Sequence, residues 1–299
     1  MGIVDRLLPI GEVPRRLRNQ FMRGRFGQRL MAPFGRELKP ERWIFIVGCY
    51  NSGTTLLKDM LAGHPAIGVL PGEGVKFTDA LPRPEEFGWN RMWCRCLDDV
   101  RLQPGVEMEG RVERIKRQWS IVYPKDRRNL LEKSIPNAAR MPFLQVHFSP
   151  AYFIYLMRDG YAAAEGIRRK ARPWLWKNSA YSSAYPIELC AEQWAETDRV
   201  IGEDRGEIEH FLQVSYEELA AKPVEVMGRI TDFLGLPPLA DEMMGQRWKV
   251  HGVESPIRNM NEESFAQLSA EDVDAIEEAA GPALVRYGYG RPDLESGGE

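Results

Sequence analysis

Short continuous runs of apolar residues recur along the chain. Runs of this kind are expected of strands that are buried on both faces of a parallel sheet. They occupy residues 43–47, 66–70, 152–157 and 210–214. The pattern therefore predicts a strand at each of these positions.

Segments with helical periodicity follow three of these runs. After the first run a helix is predicted from Thr54, with its apolar residues on one stripe, and Gly63 ends it. A second helix is predicted after Gly160, and a third runs from Pro223 to Leu234. Strand–loop–helix units repeated in this way predict an α/β fold, in which a central parallel sheet is flanked by helices.

Composition and charge narrow the class of protein. The chain has 299 residues and a net charge of −3, so no overall basicity indicates nucleic acid as a partner. Its four cysteines are irregularly spaced, which favours a reducing compartment and predicts a cytoplasmic location. No apolar run approaches the ~20 residues that span a bilayer, so no transmembrane segment is expected.

The beginning of the chain differs from the rest in charge. Residues 1–42 contain ten Lys/Arg and four Asp/Glu. We interpret them as a basic N-terminal arm that precedes a single domain over residues 43–290. The arm either packs beside the core or makes weak peripheral contact with an anionic membrane or acceptor.

The loop after the first predicted strand has the spacing of a phosphate-binding loop. In IFIVGCYNSGTTLL, Gly48 and Gly53 match G-x-x-x-x-G-K-[ST], but Thr54 stands in place of the lysine. A loop that leads into a helix N-terminus binds anions through backbone N–H groups and the helix dipole. Because the missing lysine normally reaches the β/γ-phosphates, this loop suits a short terminal phosphate group better than a triphosphate.

A second anion-binding residue is predicted where another buried strand ends. Arg158 follows the run YFIYLM, and a guanidinium fixed at that position can hold a phosphate bidentately. Two other interpretations stay open at this point. Arg158 could pair with Asp159 or another carboxylate, or Asp159 could bind Mg²⁺ as in a Walker-B strand.

Four motifs in order resemble the sulfotransferases that use 3′-phosphoadenosine-5′-phosphosulfate (PAPS). VGCYNSGTTLLKDMLAGHP resembles their 5′-phosphosulfate loop, and YFIYLMRDGYAAAEG their 3′-phosphate motif. Residues 130–144 resemble the lysine-bearing segment of the tyrosylprotein and carbohydrate branches, and residues 214–237 the tyrosine-bearing strand and helix. The resemblance implies a P-loop-like three-layer fold. It also implies sulfonate transfer from PAPS, without a metal, to a hydroxyl or amine of a peptide, carbohydrate or small hydroxyl compound.

The resemblance also implies roles for particular residues. Glu73 corresponds to the general base and Lys133 to the cation that stabilises the transferring sulfonate. Burial at a strand end is expected to raise the pKa of Glu73, and His147 is the second candidate for the base. The residues implied in binding the donor nucleotide are Asn51, Ser52, Gly53, Thr54, Thr55, Arg158, Gly166 and Tyr216.

Two of these positions depart from the family pattern. Asn51 replaces an arginine or lysine, and Gly166 replaces a serine that binds the 3′-phosphate. Lys58 and Arg168 are candidates to compensate, and a serine restored at position 166 is expected to tighten nucleotide binding. The departures keep two alternatives open: a P-loop kinase-like phosphotransferase, which Thr54 disfavours, and a catalytically silent nucleotide-binding or interaction protein of the same fold.

Overall fold

The computed structural model describes residues 14–176, 178, 180–239, 248–250, 253–255 and 257–294. Five strands form one parallel sheet. They are β1 (Arg42–Val47), β2 (Ile67–Val69), β3 (Asn129–Lys133), β4 (Ala151–Met157) and β5 (His210–Ser215). Their order across the sheet is β2-β3-β1-β4-β5, so the predicted central parallel sheet is confirmed. A separate antiparallel pair consists of β6 (Trp248–Val250) and β7 (Val253–Ser255).

Helices cover both faces of the sheet. They are α1 (Arg15–Phe21), α2 (Arg25–Met31), α3 (Thr54–Ala62), α4 (Leu97–Val100), α5 (Glu109–Ser120), α6 (Met141–His147), α7 (Gly160–Lys170), α8 (Ile187–Asp204), α9 (Tyr216–Ala221), α10 (Pro223–Phe233), α11 (Asn261–Phe265) and α12 (Ala270–Tyr287). The three helices predicted from periodicity correspond to α3, α7 and α10. Within the described part of the chain, no helix combines the length and the apolar character needed to cross a bilayer.

The continuous apolar runs are explained by burial on both faces of the sheet. Along β1, Trp43 and Phe45 pack into one apolar cluster with side chains of α5, α7 and α8, whereas Ile44 and Ile46 pack into another with α3 and α10. Successive side chains of a strand point to opposite faces, so both faces must be apolar when helices cover each of them.

The interior strand β3 was not predicted from the apolar pattern. Only Leu130 and Leu131 are apolar in this strand of five residues, which lies between β2 and β1. Its polar residues Asn129, Glu132 and Lys133 are nevertheless buried. The strand is placed in the sheet by its pairing with β1 and β2, and its buried charged residues are held by specific partners described below.

The segments before and between these units are partly packed into the core. In the basic arm, α1 and α2 lie against the domain, and Met22 is fully buried. Among the tryptophans between the sheet units, Trp93 and Trp119 are buried core residues. Trp174 and Trp176, by contrast, are each 43% exposed.

Candidate active site

The predicted site residues lie at one edge of the sheet. Because all five strands are parallel, their carboxyl ends meet there, which is where α/β proteins bind ligands. The loop of residues 48–53 follows β1, and Glu73 comes four residues after β2. Lys133 ends β3, Arg158 follows β4, and Tyr216 follows β5. The fold therefore brings together residues that are far apart in sequence.

The loop after β1 presents an uncapped helix N-terminus. Gly53, with φ of 87°, is the N-cap residue of α3, and no side chain accepts a hydrogen bond from the first turn of that helix. A Cβ at Gly53 would lie 2.6 Å from the ring of Tyr216, so both the backbone conformation and the close contact require glycine. The first-turn N–H groups of α3 remain available for an anion.

Three buried polar atoms near this loop have no partner among the residues that the structure describes. They are Ser52 Oγ, Asn51 Nδ2 and Arg158 Nη2. The Ser52 side chain is fully buried and that of Arg158 nearly so. Buried donors are rarely left without an acceptor. Their convergence on one loop indicates a binding site for a ligand rich in acceptor oxygens.

Two side-chain nitrogens of Arg158 are held by other residues, and the third, Nη2, has no partner within the described ranges. Its Nε donates to Asn261 Oδ1 at 2.8 Å, and its Nη1 donates to the backbone oxygen of Asn51 at 2.7 Å. The guanidinium lies 4.6 Å from the centroid of the Tyr216 ring. The ring of Tyr216 therefore contacts both Gly53 and Arg158, and its hydroxyl is occupied by the backbone of Arg258.

The pairing of Arg158 with Asp159, which the sequence left open, does not occur. Asp159 Oδ1 accepts hydrogen bonds from the N–H groups of Tyr161 and Ala162 and so caps α7. Burial and the nearby charge of Glu217 raise the pKa of Asp159 to about 6. The carboxylate of Asp159 therefore caps α7 and does not pair with Arg158, whose guanidinium can bind an external anion.

The two departures from the family pattern are in contact with each other. A Cβ at Gly166 would lie 2.9 Å from Asn51 Cβ and 3.0 Å from Asn51 Cγ. Because Asn51 occupies the space that a side chain at position 166 would need, we expect a serine there to weaken binding, opposite to the expectation from the sequence. The two residues proposed to compensate already have partners: Lys58 pairs with Asp59 at 2.7 Å, and Arg168 pairs with Asp272 through Nη1 and Nη2.

Lys170 is a cation at the end of α7 to which the sequence analysis assigned no role. It lies one turn after Gly166 on α7, and it makes no ion pair within the described ranges. Burial, together with the positive charges of Arg91, Arg169 and Arg158, lowers the pKa of Lys170 to about 8. Its spacing of four residues from Gly166 was the available signal, since such pairs share a helix face. An anion that binds among these like charges would relieve their mutual repulsion.

Glu73 and Lys133 form an ion pair at the other end of the site. Lys133 Nζ lies 3.0 Å from Glu73 Oε1, and Lys76 Nζ lies 3.2 Å from Glu73 Oε2. The expectation of a raised pKa for Glu73 is wrong in this state. Burial does raise it, but the charges of Lys133 and Lys76 outweigh burial and hold the pKa at about 2.

The loop that carries Glu73 is fixed by Glu132, a second residue that the sequence reasoning missed. Glu132 is fully buried, and its Oε1 accepts a hydrogen bond from Gly74 N at 2.6 Å. Ser134 Oγ and Asn137 Nδ2 also donate to this carboxylate. Burial raises the pKa of Glu132 to about 7. Because β3 also carries Lys133, one strand positions both members of the pair.

His147, the second candidate for the base, lies elsewhere. Its Nε2 accepts a hydrogen bond from Gly105 N at 3.4 Å, and its ring packs 5.0 Å from the ring of Phe143. Burial and the charge of Lys116 lower its pKa. None of these contacts belongs to the phosphate-binding loop or to Glu73, so the structure does not bring His147 into the site.

Comparisons with known protein sequences agree with this arrangement. A family model described as the sulfotransferase family matches residues 43–241. Protein-tyrosine sulfotransferase 1 of Danio rerio is 25% identical over 300 residues, covering 90% of this chain and 80% of the relative. Protein-tyrosine sulfotransferase A of Caenorhabditis elegans is 25% identical over 275 residues, covering 83% of this chain and 67% of the relative.

Solved structures share the fold. A sulfotransferase of Mycobacterium avium superposes with a TM-score of 0.56 at 18% identity, covering 98% of this chain and 88% of that structure. The sulfotransferase domain of the Synechococcus PCC 7002 olefin synthase superposes with a TM-score of 0.53 at 22% identity, covering 86% and 98%.

Proposed function

The chain belongs to the sulfotransferase family, and from this premise we propose that it transfers a sulfonate from PAPS to a hydroxyl or amine of an acceptor. The observation that carries the proposal is the set of unpartnered buried donors at one helix N-terminus: Ser52 Oγ, Asn51 Nδ2 and Arg158 Nη2. Donors of this kind suit phosphate and sulfonate oxygens.

The residues present fit a nucleotide that carries two separate anionic groups. The uncapped N-terminus of α3, with Ser52, Thr54 and Thr55, would hold the 5′-phosphosulfate. Arg158 and Lys170 would hold the 3′-phosphate from the β4–α7 side, with the ring of Tyr216 between the two regions. PAPS supplies the sulfonate and leaves as adenosine 3′,5′-bisphosphate.

Glu73 and Lys133 would act on the acceptor side of the site. Glu73 would take the proton of the acceptor hydroxyl, and Lys133 would stabilise charge on the sulfonate in transfer. A carboxylate with a pKa of about 2 is a weak base. If Lys133 turns from Glu73 toward the sulfonate, burial is left with less opposition and the pKa of Glu73 rises. The ion pair therefore keeps Glu73 a weak base until the donor is bound.

We favour peptide tyrosine as the acceptor and keep carbohydrate as the second class. The support is the similarity to relatives named protein-tyrosine sulfotransferases, together with the positions of Glu73 and Lys133. A cytoplasmic location stays a prediction from the cysteine pattern, as do the boundaries of the domain over residues 43–290.

Calorimetric titration tests the choice of nucleotide. The chain is expected to bind adenosine 3′,5′-bisphosphate in the absence of magnesium, and to bind it more tightly than Mg-ATP. The reason is that the loop lacks the lysine that reaches β/γ-phosphates, while Arg158 and Lys170 provide a separate cationic region. Tighter binding of Mg-ATP would contradict the proposal and favour the kinase-like alternative.

The contact between Asn51 and Gly166 gives a prediction opposite in sign to the one from sequence. Gly166→Ser is expected to weaken bisphosphate binding by ~1–3 kcal/mol, the usual cost of overpacking. The added side chain displaces Asn51, whose backbone oxygen accepts a hydrogen bond from Arg158. The same titration measures the effect.

A double variant and a matched control make this prediction specific. Asn51 has φ of 64°, a conformation that glycine adopts without strain, so Asn51→Gly should recover part of the affinity lost by Gly166→Ser: it relieves the overlap but also removes the Nδ2 donor. Gly202→Ser is the control, because a Cβ at that helical glycine meets nothing within 4 Å. Tighter binding by the single Gly166→Ser variant would show that Asn51 does not fill the space as described.

A further inference from the structure

The first two helices present a continuous exposed surface of arginines and large apolar side chains. Leu17 and Phe21 lie one turn apart on α1, and Phe26 and Leu30 one turn apart on α2, with Phe34 four residues further on. Residues four apart share a helix face. All five are exposed, and Phe26 reaches 74%. We call this set, together with the arginines among them, the arm surface.

Met22, which follows α1, and the buried side of α2 anchor the arm surface to the domain. Met22 and Met31 enter the main apolar cluster. Buried Gln28 donates through Nε2 to the backbone oxygens of Met22 and Lys76, each at 2.9 Å, and its own backbone oxygen accepts from Gln118. The exposed apolar side chains are therefore held outward by a fixed platform.

Charge distinguishes the arm surface from an ordinary apolar patch. Residues 14–36 contain no Asp or Glu. Two of their arginines are paired within the domain, Arg25 with Glu86 and Arg29 with Asp79. The others make no ion pair with any residue that the structure describes: Arg15, Arg16, Arg18, Arg23 and Arg36.

We propose that the arm surface binds the surface of an anionic phospholipid membrane. Helices that lie in a membrane interface combine exposed Phe and Leu with Lys and Arg and have little acidic character. Anionic headgroups attract each arginine, and the apolar side chains enter the boundary with the acyl chains. A nucleic-acid duplex offers no apolar phase in which Leu17, Leu30 and the phenylalanines could be buried, and an acidic protein segment would leave most of them in water.

The arm surface adjoins the acceptor side of the site. Gln28 holds the backbone oxygen of Lys76, and Arg25 holds that of Asp79, so α2 is tied to the segment that begins at Glu73. The proposal concerns binding alone and does not depend on the proposed function.

Vesicle flotation with the full chain tests this proposal. The protein is expected to float with vesicles of phosphatidylcholine containing about one third phosphatidylserine, but not with phosphatidylcholine alone, and less at higher salt. Phe26→Ser/Leu30→Ser and, separately, Arg15→Gln/Arg16→Gln should each weaken binding by about tenfold or more. These side chains are exposed, so the melting temperature of each variant should stay unchanged.

Matched controls remove two exposed apolar side chains, or two arginines, from other surfaces of the protein. Val106→Ser/Val285→Ser replaces residues that are 79% and 80% exposed, and Arg128→Gln/Arg199→Gln removes two arginines elsewhere. Both controls should float like the wild type. Absence of wild-type binding to anionic vesicles, or unchanged binding of both arm-surface variants, overturns the proposal. So does self-association that Phe26→Ser/Leu30→Ser abolishes in the absence of vesicle binding, which would make the arm surface a protein interface.

Discussion

Arg158→Ala is expected to weaken binding of adenosine 3′,5′-bisphosphate by ~2–5 kcal/mol, which corresponds to a loss of ~30- to 5,000-fold in affinity. The guanidinium is buried, and two of its nitrogens are occupied by Asn261 and by the backbone of Asn51. Its third nitrogen has no partner within the described residues. A phosphate that pairs with a desolvated cation loses that interaction outright when the cation is removed. Calorimetric titration gives the affinity of each variant.

Two further variants separate binding from folding. Arg158→Lys keeps the charge but not the planar fork, so it should bind more weakly than the wild type and more tightly than Arg158→Ala. Arg168→Ala is the matched control, because Arg168 is a neighbouring arginine that is already paired with Asp272. It should bind like the wild type. Unchanged affinity of Arg158→Ala would return Arg158 to a purely structural role.

Glu73→Gln is expected to lower the rate of sulfonate transfer by ~10²–10⁴-fold, the usual contribution of a general base. The amide keeps the shape and can still accept a hydrogen bond from Lys133, but it cannot take a proton. Nucleotide affinity should change little, because Glu73 contacts Lys133 and Lys76 and none of the atoms of the phosphate-binding loop. Single-turnover transfer at saturating donor measures the chemical step.

The low pKa of Glu73 adds a pH dependence that can be checked. In the free enzyme Glu73 stays ionised down to about pH 2, so kcat/KM should show no loss due to Glu73 between pH 8 and 5. Its folded pKa lies below its ordinary value of 4.5. The ionised pair therefore stabilises the fold above about pH 4.5, and this contribution is lost as the pH falls through about 2. Glu73→Gln should accordingly lower the melting temperature at pH 7 more than at pH 3.

A neighbouring carboxylate provides the control for Glu73. Glu86 lies in the following segment and pairs with Arg83 and Arg25. Glu86→Gln removes a charged oxygen without touching Lys133, so the transfer rate should be unchanged. A Glu73→Gln enzyme that transfers at the wild-type rate would show that the base is another residue.

The fold was largely predictable because strands covered on both faces must be apolar throughout. The apolar runs found β1, β2, β4 and β5. They could not find β3, because two of its five residues are the charged Glu132 and Lys133. Charged residues are buried in a central strand only when specific partners hold them. Two of those partners, Gly74 and Glu73, come from another segment and leave no local pattern in the sequence around β3.

The sequence predicted which residues form the candidate site better than it predicted their pKa values and contacts. The family resemblance identified Ser52, Arg158, Glu73 and Lys133, and the parallel sheet brings them to one edge. The direction of the Glu73 pKa depends on two lysines within 3.2 Å of its carboxylate, and spacing gives no such distance. The contact between Asn51 and Gly166 likewise depends on how α7 packs against the loop. Two departures that were judged separately thus form one packed pair.

Sulfonate transfer itself tests the central claim most directly. The chain is incubated with PAPS and with separate pools of tyrosine peptides, glycans and phenols, and mass spectrometry detects sulfonated product. The account predicts product in at least one pool, with tyrosine peptides favoured, and product formation that Glu73→Gln suppresses while bisphosphate binding persists. A chain that binds the bisphosphate tightly and sulfonates nothing in any pool would contradict the account and leave a nucleotide-binding relative without catalytic activity.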